Sequence, residues 1–196
     1  MPNWCYTQIA FFSTDENELL QFKNDIQTAI DTLPIVDREA KNWQGRVSRF
    51  FKSSAVGERG FITYMSDITP EIYDGLEQFY FILDQEDAWA PHTEMWAELI
   101  NKLQKNISFV YRAEECGNEV YINSDSEGIF FPERYYVNTN EETEYFEDEE
   151  SLLEYLKKFN HAFIGCESVR QSQYVAEQLV EKNIYDWLVI AEYSYE

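Results

Sequence analysis

The chain is poor in cysteine, histidine and basic residues, and each shortage argues against a class of protein. Of its 196 residues, 3 are Cys, 2 are His and 15 are Lys or Arg. Cys5, Cys116 and Cys166 are odd in number and far apart, so we expect no disulfide scaffold and a cytoplasmic, reducing environment. His92 and His161 have no cysteine pair at ligand spacing beside them, which argues against zinc.

Long apolar runs and common catalytic motifs are also missing. No run approaches the roughly 18 apolar residues that a membrane helix needs. The opening residues lack the basic region and the apolar stretch of a secretory signal. The sequence contains no P-loop, dinucleotide-binding glycine motif, nucleophile elbow or zinc-protease motif. We therefore expect a protein with no membrane segment, no cofactor and no recognisable catalytic motif.

Acidic and aromatic residues are abundant instead. The formal net charge is −22, and the chain holds 14 Tyr, 14 Phe and 5 Trp. A small soluble domain usually has a net charge of magnitude about 2–8, because like charges repel and cost stability. Disordered acidic chains lack aromatic residues, so we expect this chain to fold around a sizeable core.

The charge is distributed unevenly along the chain. Net charge is −1 over residues 1–60, −7 over 61–110, −10 over 111–160 and −4 over 161–196. Residues 38–59 form a basic segment, which holds six Arg and Lys residues and two Glu residues. If the protein acts on nucleic acid, Arg46, Arg49 and Arg59 of this segment are the expected phosphate contacts.

Hydrophobic periodicity predicts an α+β fold. The predicted strands are 4–12, 61–65, 79–83, 107–112, 119–122, 129–131, 135–137, 143–146, 162–165 and 187–193. The predicted helices are 19–33, 69–77, 91–103, 151–159 and 167–182. The last strand, helix and strand make a β-α-β pattern. We expect a first region over 1–137 and a C-terminal β-α-β region over 138–196, packed on the same sheet; a single compact domain is the alternative.

Two stretches resemble a family of uncharacterised proteins encoded by phages and plasmids. The first is the opening Met1-Pro2-Asn3-Trp4-Cys5, which precedes a strand. The second resembles the family's tryptophan-proline, helix, strand and acidic-glycine stretch, in Trp89-Ala90-Pro91, Glu94, Trp96, Phe109-Val110-Tyr111 and Glu114-Glu115-Cys116-Gly117. The resemblance implies a mobile-element origin and a ferredoxin-like, YubB-type domain: a split β-α-β sheet with helices packed on one face. It supplies no catalytic residues and does not extend over 124–196.

Three short patterns suggest ligand sites, and each has a simpler interpretation. Residues 123–128 imitate the start of a calcium loop, but Arg134 stands where a Glu is needed, which favours a plain turn. Residues 57–60 match a G-x-x-G clamp for nucleic acid, and a turn before a strand explains both glycines. Asp84, Glu86 and Asp87 are candidate Mg²⁺ ligands for a nuclease-like reaction, although clustering is expected among 37 carboxylates.

The densest acidic run lies within residues 141–154. Its acidic members are Glu141, Glu142, Glu144, Glu147, Asp148, Glu149, Glu150 and Glu154. One or two acids suffice to cap a helix and to complement its dipole, and Asp148 is the expected cap. The surplus suggests a functional role, because an array of carboxylates can occupy a site built for phosphates.

We therefore expect a non-enzymatic protein that binds a basic, nucleic-acid-binding protein through this run. Inhibitors of restriction or CRISPR nucleases act in this way. Strong direct binding of nucleic acid is not expected, because the acidic chain repels phosphate. One alternative is a metal-dependent enzyme acting on nucleic acid or nucleotides. Another is a homo-oligomer in which the basic segment docks onto a neighbour's acidic surface. A merely solvated acidic surface explains the same charge without any function.

Overall fold

A computed structural model describes residues 3–32, 40–53, 59–73 and 75–195 of the chain. The chain divides into two compact units, Met1–Val120 and Tyr121–Glu196. The fold is α+β, and the described ranges contain antiparallel sheets and five α-helices. No helix within these ranges is both long and apolar enough to cross a bilayer. The units divide after Val120, whereas the sequence placed the boundary after residue 137.

Unit 1, Met1–Val120, consists of an antiparallel sheet with helices packed over one of its faces. Its elements are β1 (Trp4–Ser13), α1 (Glu16–Thr32), α2 (Gln44–Phe51), β2 (Gly60–Met65), β3 (Thr69–Tyr73), β4 (Leu76–Ala88), α3 (Glu94–Leu103) and β5 (Ser108–Glu115). Its strands lie in the order β2-β4-β1-β5, and neighbours are antiparallel. β3 pairs with the N-terminal part of β4.

The core of unit 1 lies on one face of this sheet. Strand side chains alternate between faces, so every second residue of β1 points under the helices. Phe11 is at the centre of this core, with its ring centroid 5.2–5.8 Å from those of Phe22, Phe81, Trp96 and Phe109. Helices α1 and α3 bury apolar residues at three- and four-residue spacing against it.

Unit 2, Tyr121–Glu196, has a separate core under a smaller sheet. Its main elements are β7 (Tyr135–Thr139), β8 (Thr143–Phe146), α4 (Glu149–Phe159), α5 (Val169–Glu181) and β9 (Leu188–Glu192). The strand β6 (Val120–Asn123) begins at the last residue of unit 1. The strands β8, β7 and β9 form a three-stranded antiparallel sheet in that order. Val137, Leu156, Phe163 and Ile190 belong to the core that α4 and α5 cover.

In unit 1, one predicted element is wrong and one helix was not predicted. Residues 69–77 were predicted to be helical, but they form β3, the turn at Gly75 and the start of β4. Gly75 has φ +73°, a conformation that favours glycine and allows Tyr73 to pair with Leu76 across the hairpin. The sequence also left residues 35–60 irregular, yet Gln44–Phe51 is the helix α2.

Two predicted strands of unit 2 are also wrong, and with them the C-terminal β-α-β pattern. Residues 162–165 belong to a 3₁₀ turn at His161–Phe163 and to the turn that follows it. Residues 129–131 form a loop, not a strand. The observed pattern is a β7–β8 hairpin, two helices and β9.

Candidate interaction surface

The eight acidic residues of the run 141–154 lie in three consecutive elements of unit 2. They occupy the β7–β8 hairpin, the link to α4 and the first half of α4, and we call them the acidic surface. Seven of them are exposed, and Glu144 is half-buried. The acidic surface therefore faces solvent along most of its length.

Local hydrogen bonds fix the backbone that carries these carboxylates. The Thr139 hydroxyl accepts the backbone N–H of Glu141 at 3.2 Å and of Glu142 at 3.0 Å, which closes the hairpin. Asp148 is the N-cap of α4, as predicted, because its carboxylate accepts the Ser151 N–H at 2.8 Å. The acidic residues are thus held on a defined hairpin and a capped helix.

Some of these carboxylates have structural partners. Oε1 of Glu149 accepts the N–H of Val169 at 2.9 Å and so ties α4 to the first residue of α5. Glu154 forms an exposed i,i+4 ion pair with Lys158 at 3.6 Å, which contributes little to stability. Among the described residues, no ion pair or hydrogen bond engages the side chains of the remaining members Glu141, Glu144, Glu147 and Glu150. These four carboxylates are available to a partner.

Two tyrosines lie close to carboxylates of the acidic surface. Burial, the hydrogen bond to Glu142 and the charges of Glu142 and Glu144 together hold the pKa of Tyr155 well above its usual range. Burial and a group of acids that includes Glu192, Glu149 and Asp148 also raise the pKa of Tyr135. Nearby carboxylates disfavour the phenolate, so both phenols lie in a negative potential.

Unit 2 offers little positive charge to neutralise this surface. Residues 121–196 hold 5 basic and 17 acidic groups, a net of −12, against 10 and 20, a net of −10, for residues 1–120. The Arg134 guanidinium donates to the backbone oxygens of Phe131 and Asp125 and lies 5.0 Å from the Tyr195 ring centroid. Lys157 and Lys158 lie in the last turn of α4, away from its acidic start.

The three arginines predicted to contact phosphate lie in different environments. Arg46 is only 1% exposed, and its guanidinium donates to the Ile30 carbonyl at 3.0 Å. A buried guanidinium offers no surface to a phosphate backbone, so the prediction of a phosphate contact is wrong for Arg46 and stays a prediction for Arg49 and Arg59. Both of these are exposed, and Arg49 lies 5.9 Å from the Trp43 ring centroid.

Some predicted residues lie outside the described ranges. They are Met1 and Pro2 of the opening pentapeptide, Arg38 and Glu39 of the basic segment, and Gly57 and Glu58 of the G-x-x-G pattern.

The predicted cation ligands are not brought together. Asp84 and Glu86 lie on one face of β4, while Asp87 points to the opposite face and is fully buried. Asp125 of the calcium-like loop accepts three backbone N–H groups, from Gly128, Phe130 and Phe131. Within the described ranges, no group of three His, Cys, Asp or Glu side chains is placed to hold a metal ion.

Unit 1 contains a buried polar cluster that no sequence pattern indicated. It consists of Thr7, Gln44, Gln85, Asp87 and Trp96, all of them fully buried. Burial raises the pKa of Asp87 to about 6, against the opposing effects of its hydrogen bonds and of His92. These residues come from β1, α2, β4 and α3, so no local spacing in the sequence connects them.

Comparison with known proteins found no match. No family model matches the chain, and no curated protein or solved structure matches it either.

Proposed function

We propose that this protein is a non-enzymatic interaction protein that binds a basic, nucleic-acid-binding protein through the acidic surface. The observation that carries the proposal is the set of carboxylates at Glu141, Glu144, Glu147 and Glu150, which have no ion pair or hydrogen bond to the described residues. Glu144 also acts on a neighbouring phenol, because burial and the nearby acids Glu142 and Glu144 raise the pKa of Tyr155. A basic partner would gain ion pairs and release counterions here.

The class of partner follows from the chemistry of the array. On α4, Glu150 and Glu154 stand four residues apart, a spacing that puts helix positions about 5–6 Å from each other and that a phosphate-binding surface can engage. A nuclease that binds DNA through lysine and arginine presents such a surface. We infer that the target is a host restriction or CRISPR nuclease, and that the protein comes from a mobile element.

We also propose that unit 1 is a ferredoxin-like domain with a split β-α-β sheet. The strand order β2-β4-β1-β5 supports this, because β1 and β4 are the two central antiparallel strands. The crossovers through α1 and α3 support it as well, since both helices pack on the same core.

The test compares two triple variants that change the net charge equally. One replaces Glu141, Glu147 and Glu150 by Gln, and the control replaces the exposed Glu16, Glu77 and Glu94 of unit 1 by Gln. Each protein is immobilised, exposed to bacterial lysate and eluted with a salt gradient or with duplex DNA. We expect the wild-type protein to capture a partner that duplex DNA displaces. The first variant should no longer capture this partner, whereas the control variant should still capture it.

Two results of this experiment would oppose the proposal. One is capture that resists both molar salt and duplex DNA, because an electrostatic mimic is screened by salt. The other is equal loss of capture in the two variants, since that would show dependence on net charge and not on the acidic surface.

Contact with nucleic-acid phosphate at Arg49 and Arg59 is a second candidate function. Exposed aromatic groups lie close to them: Trp4 is 43% exposed, its ring centroid lies 5.4 Å from that of Phe61, and Trp43 bridges to Phe61. Aromatic rings beside arginines are typical of single-strand binding. Fluorescence anisotropy with a labelled oligothymidine tests the contact.

The other two alternatives have tests of their own. A nuclease assay with Mg²⁺ or Mn²⁺ tests the enzymatic alternative. The molar mass measured by light scattering at increasing salt concentration tests the homo-oligomer.

A further inference from the structure

The buried polar cluster of unit 1 has a fixed hydrogen-bond direction. The Trp96 indole can only donate, and its Nε1 lies 2.9 Å from Oε1 of Gln85. Nε2 of Gln85 therefore points the other way and donates to Oδ2 of Asp87 at 2.6 Å. Nε2 of Gln44 also donates to Oε1 of Gln85, at 3.2 Å, which leaves Oε1 of Gln44 pointing away from Gln85.

The two oxygens of Asp87 are used very unequally. Oδ2 accepts from Nε2 of Gln85, from the Thr7 hydroxyl at 3.3 Å and from the backbone N–H of His92 at 3.2 Å. Oδ1 is fully buried and accepts no hydrogen bond from the described residues. An ionised carboxylate shares its charge over both oxygens, whereas a protonated one has an accepting oxygen and a donating oxygen.

A second buried acceptor lies beside Oδ1. Oε1 of Gln44 is also buried and receives no hydrogen bond from any described donor. Both oxygens face Gly60: a Cβ built there would lie 2.6 Å from Oε1 of Gln44 and closer still to Oδ1 of Asp87. Two buried acceptors that face the same point without a donor are both left unsatisfied, and a single shared proton satisfies both.

We propose that Asp87 is protonated on Oδ1 and donates this hydrogen to Oε1 of Gln44, so that the two side chains form a pH-sensitive latch between β4 and the start of α2. The latch is closed while Asp87 is a neutral acid, because Oδ1 then donates to Oε1 of Gln44. It opens when Asp87 ionises, because the two buried oxygens then repel each other. It governs how firmly α2, with Trp43 before it and Arg49 on it, is held to the sheet.

Other titratable groups around Asp87 could compete for this role. Nδ1 of His92, in the β4–α3 link, lies 3.9 Å from Oδ1, beyond hydrogen-bond distance. Cys5 faces Asp87 from β1, and burial with the charges of Asp87 and Glu115 raises the pKa of its thiol to about 12. The neighbouring residue on α2, Gln44, is uncharged, and Gly60 on β2 has no side chain. His92 is therefore the one competitor to test.

The direct test is a carboxyl ¹³C titration of the labelled full chain by NMR. We expect the Asp87 carboxyl to titrate near pH 6, where burial places its pKa, instead of near the ordinary value of 3.8. A midpoint of about 4 or below would overturn the proposal. Gln44→Met removes the acceptor and should lower the midpoint. A different pair of results would overturn the latch: an Asp87 midpoint that is unchanged in Gln44→Met and raised in His92→Gln. The side chain that sets the Asp87 titration would then be the His92 imidazolium and not Gln44.

The pH dependence of thermal unfolding is an independent test of the latch. Asp87→Asn mimics the neutral acid, because its amide oxygen replaces Oδ2 and its NH₂ group can donate to Gln44. The raised pKa makes wild-type stability fall as pH rises from about 4 through about 6. The Tm of Asp87→Asn relative to wild type should therefore be higher at pH 8 than at pH 4.5. Glu86→Gln, an exposed neighbour with the same charge change, should show no such trend.

Two outcomes of the thermal experiment would count against the latch. One is an Asp87→Asn difference that does not vary with pH. The other is a rise in wild-type Tm at pH 8 on addition of CaCl₂ or MgCl₂ that Asp87→Asn abolishes, since a cation and not a proton would then lie between the two oxygens.

Discussion

The hydroxyl of Tyr155 donates a hydrogen bond of 2.9 Å to Oε1 of Glu142 and so joins α4 to the β7–β8 hairpin. The ring of Tyr155 continues this connection, with its centroid 5.1 Å from that of Phe146 and 5.8 Å from that of Phe159. One member of the acidic surface is therefore part of the packing of unit 2, which keeps hairpin and helix in a fixed relationship.

Removing this hydroxyl should cost a measurable but small part of the stability. Tyr155→Phe keeps both ring contacts and loses the hydrogen bond to Glu142, so we expect about 1 kcal/mol less free energy of unfolding. Chemical denaturation followed by circular dichroism measures it. Tyr174→Phe, at a 63% exposed position of α5, is the control and should change stability by less than about 0.5 kcal/mol. Equal losses in the two variants would show that the hydrogen bond contributes nothing.

The loop after β6 should depend on Asp125 and not on calcium. Oδ1 of Asp125 accepts the N–H of Gly128 at 3.1 Å, and Oδ2 accepts those of Phe130 and Phe131 at 2.7 and 2.9 Å. Asp125→Ala leaves these donors without their acceptor and should reduce the free energy of unfolding by about 3 kcal/mol. Glu127→Ala, at an exposed position of the same loop, should have almost no effect.

Calcium distinguishes this account from a metal site in the same loop. Both oxygens of Asp125 already accept backbone N–H groups, so a cation would have to displace them. We expect the same Tm for the wild-type protein in calcium chloride and in a chelator. A calcium-dependent rise in Tm that Asp125→Ala removes would contradict the prediction.

Local sequence patterns predicted the helices and strands in which buried residues recur at regular spacing. β1 was expected over 4–12 and lies at Trp4–Ser13, because aromatic and β-branched residues dominate it. The helix predicted over 69–77 is wrong, because a proline at the start of a segment fits the first turn of a helix as well as an edge strand. Pro70 lies instead in β3, which pairs on one side with β4, a position that tolerates proline. The sequence pair Asp74-Gly75 is a hairpin signal that would have indicated this turn.

Long-range polar contacts could not be predicted from the sequence. Composition located the acidic run, but the bond from Glu149 to Val169 spans 20 residues and depends on how α4 and α5 pack. Arg46 was expected at the surface because charged residues are seldom buried, yet it lies beneath α1 against the Ile30 carbonyl. Oε1 of Gln44 and Oδ1 of Asp87 face the same glycine only because the start of α2 lies beside β4, and no periodic pattern encodes that arrangement.

The three thiols should differ widely in reactivity. The thiolate is the reactive form, and burial raises the pKa of Cys5 to about 12, so almost none is present at pH 8. Cys166 is 6% exposed, whereas Cys116 is half-buried in a 3₁₀ turn. A thiol reagent such as DTNB should label Cys116 first and Cys5 only on unfolding. Cys116→Ser should remove the fast phase, and a fast phase that persists in this variant would contradict the assignment.

Gly60 should be sensitive to substitution, because the buried polar cluster closes around it. A Cβ at this position would collide with Oδ1 of Asp87 and Oε1 of Gln44, so Gly60→Ala should reduce the free energy of unfolding by about 2 kcal/mol. Gln44→Ala removes one colliding oxygen and should make the same substitution less costly. A double-mutant cycle by chemical denaturation measures this coupling, which we expect to exceed about 0.5 kcal/mol. Strict additivity would mean that Gly60 and Gln44 are not in contact, and the close approach on which the latch depends would then be absent.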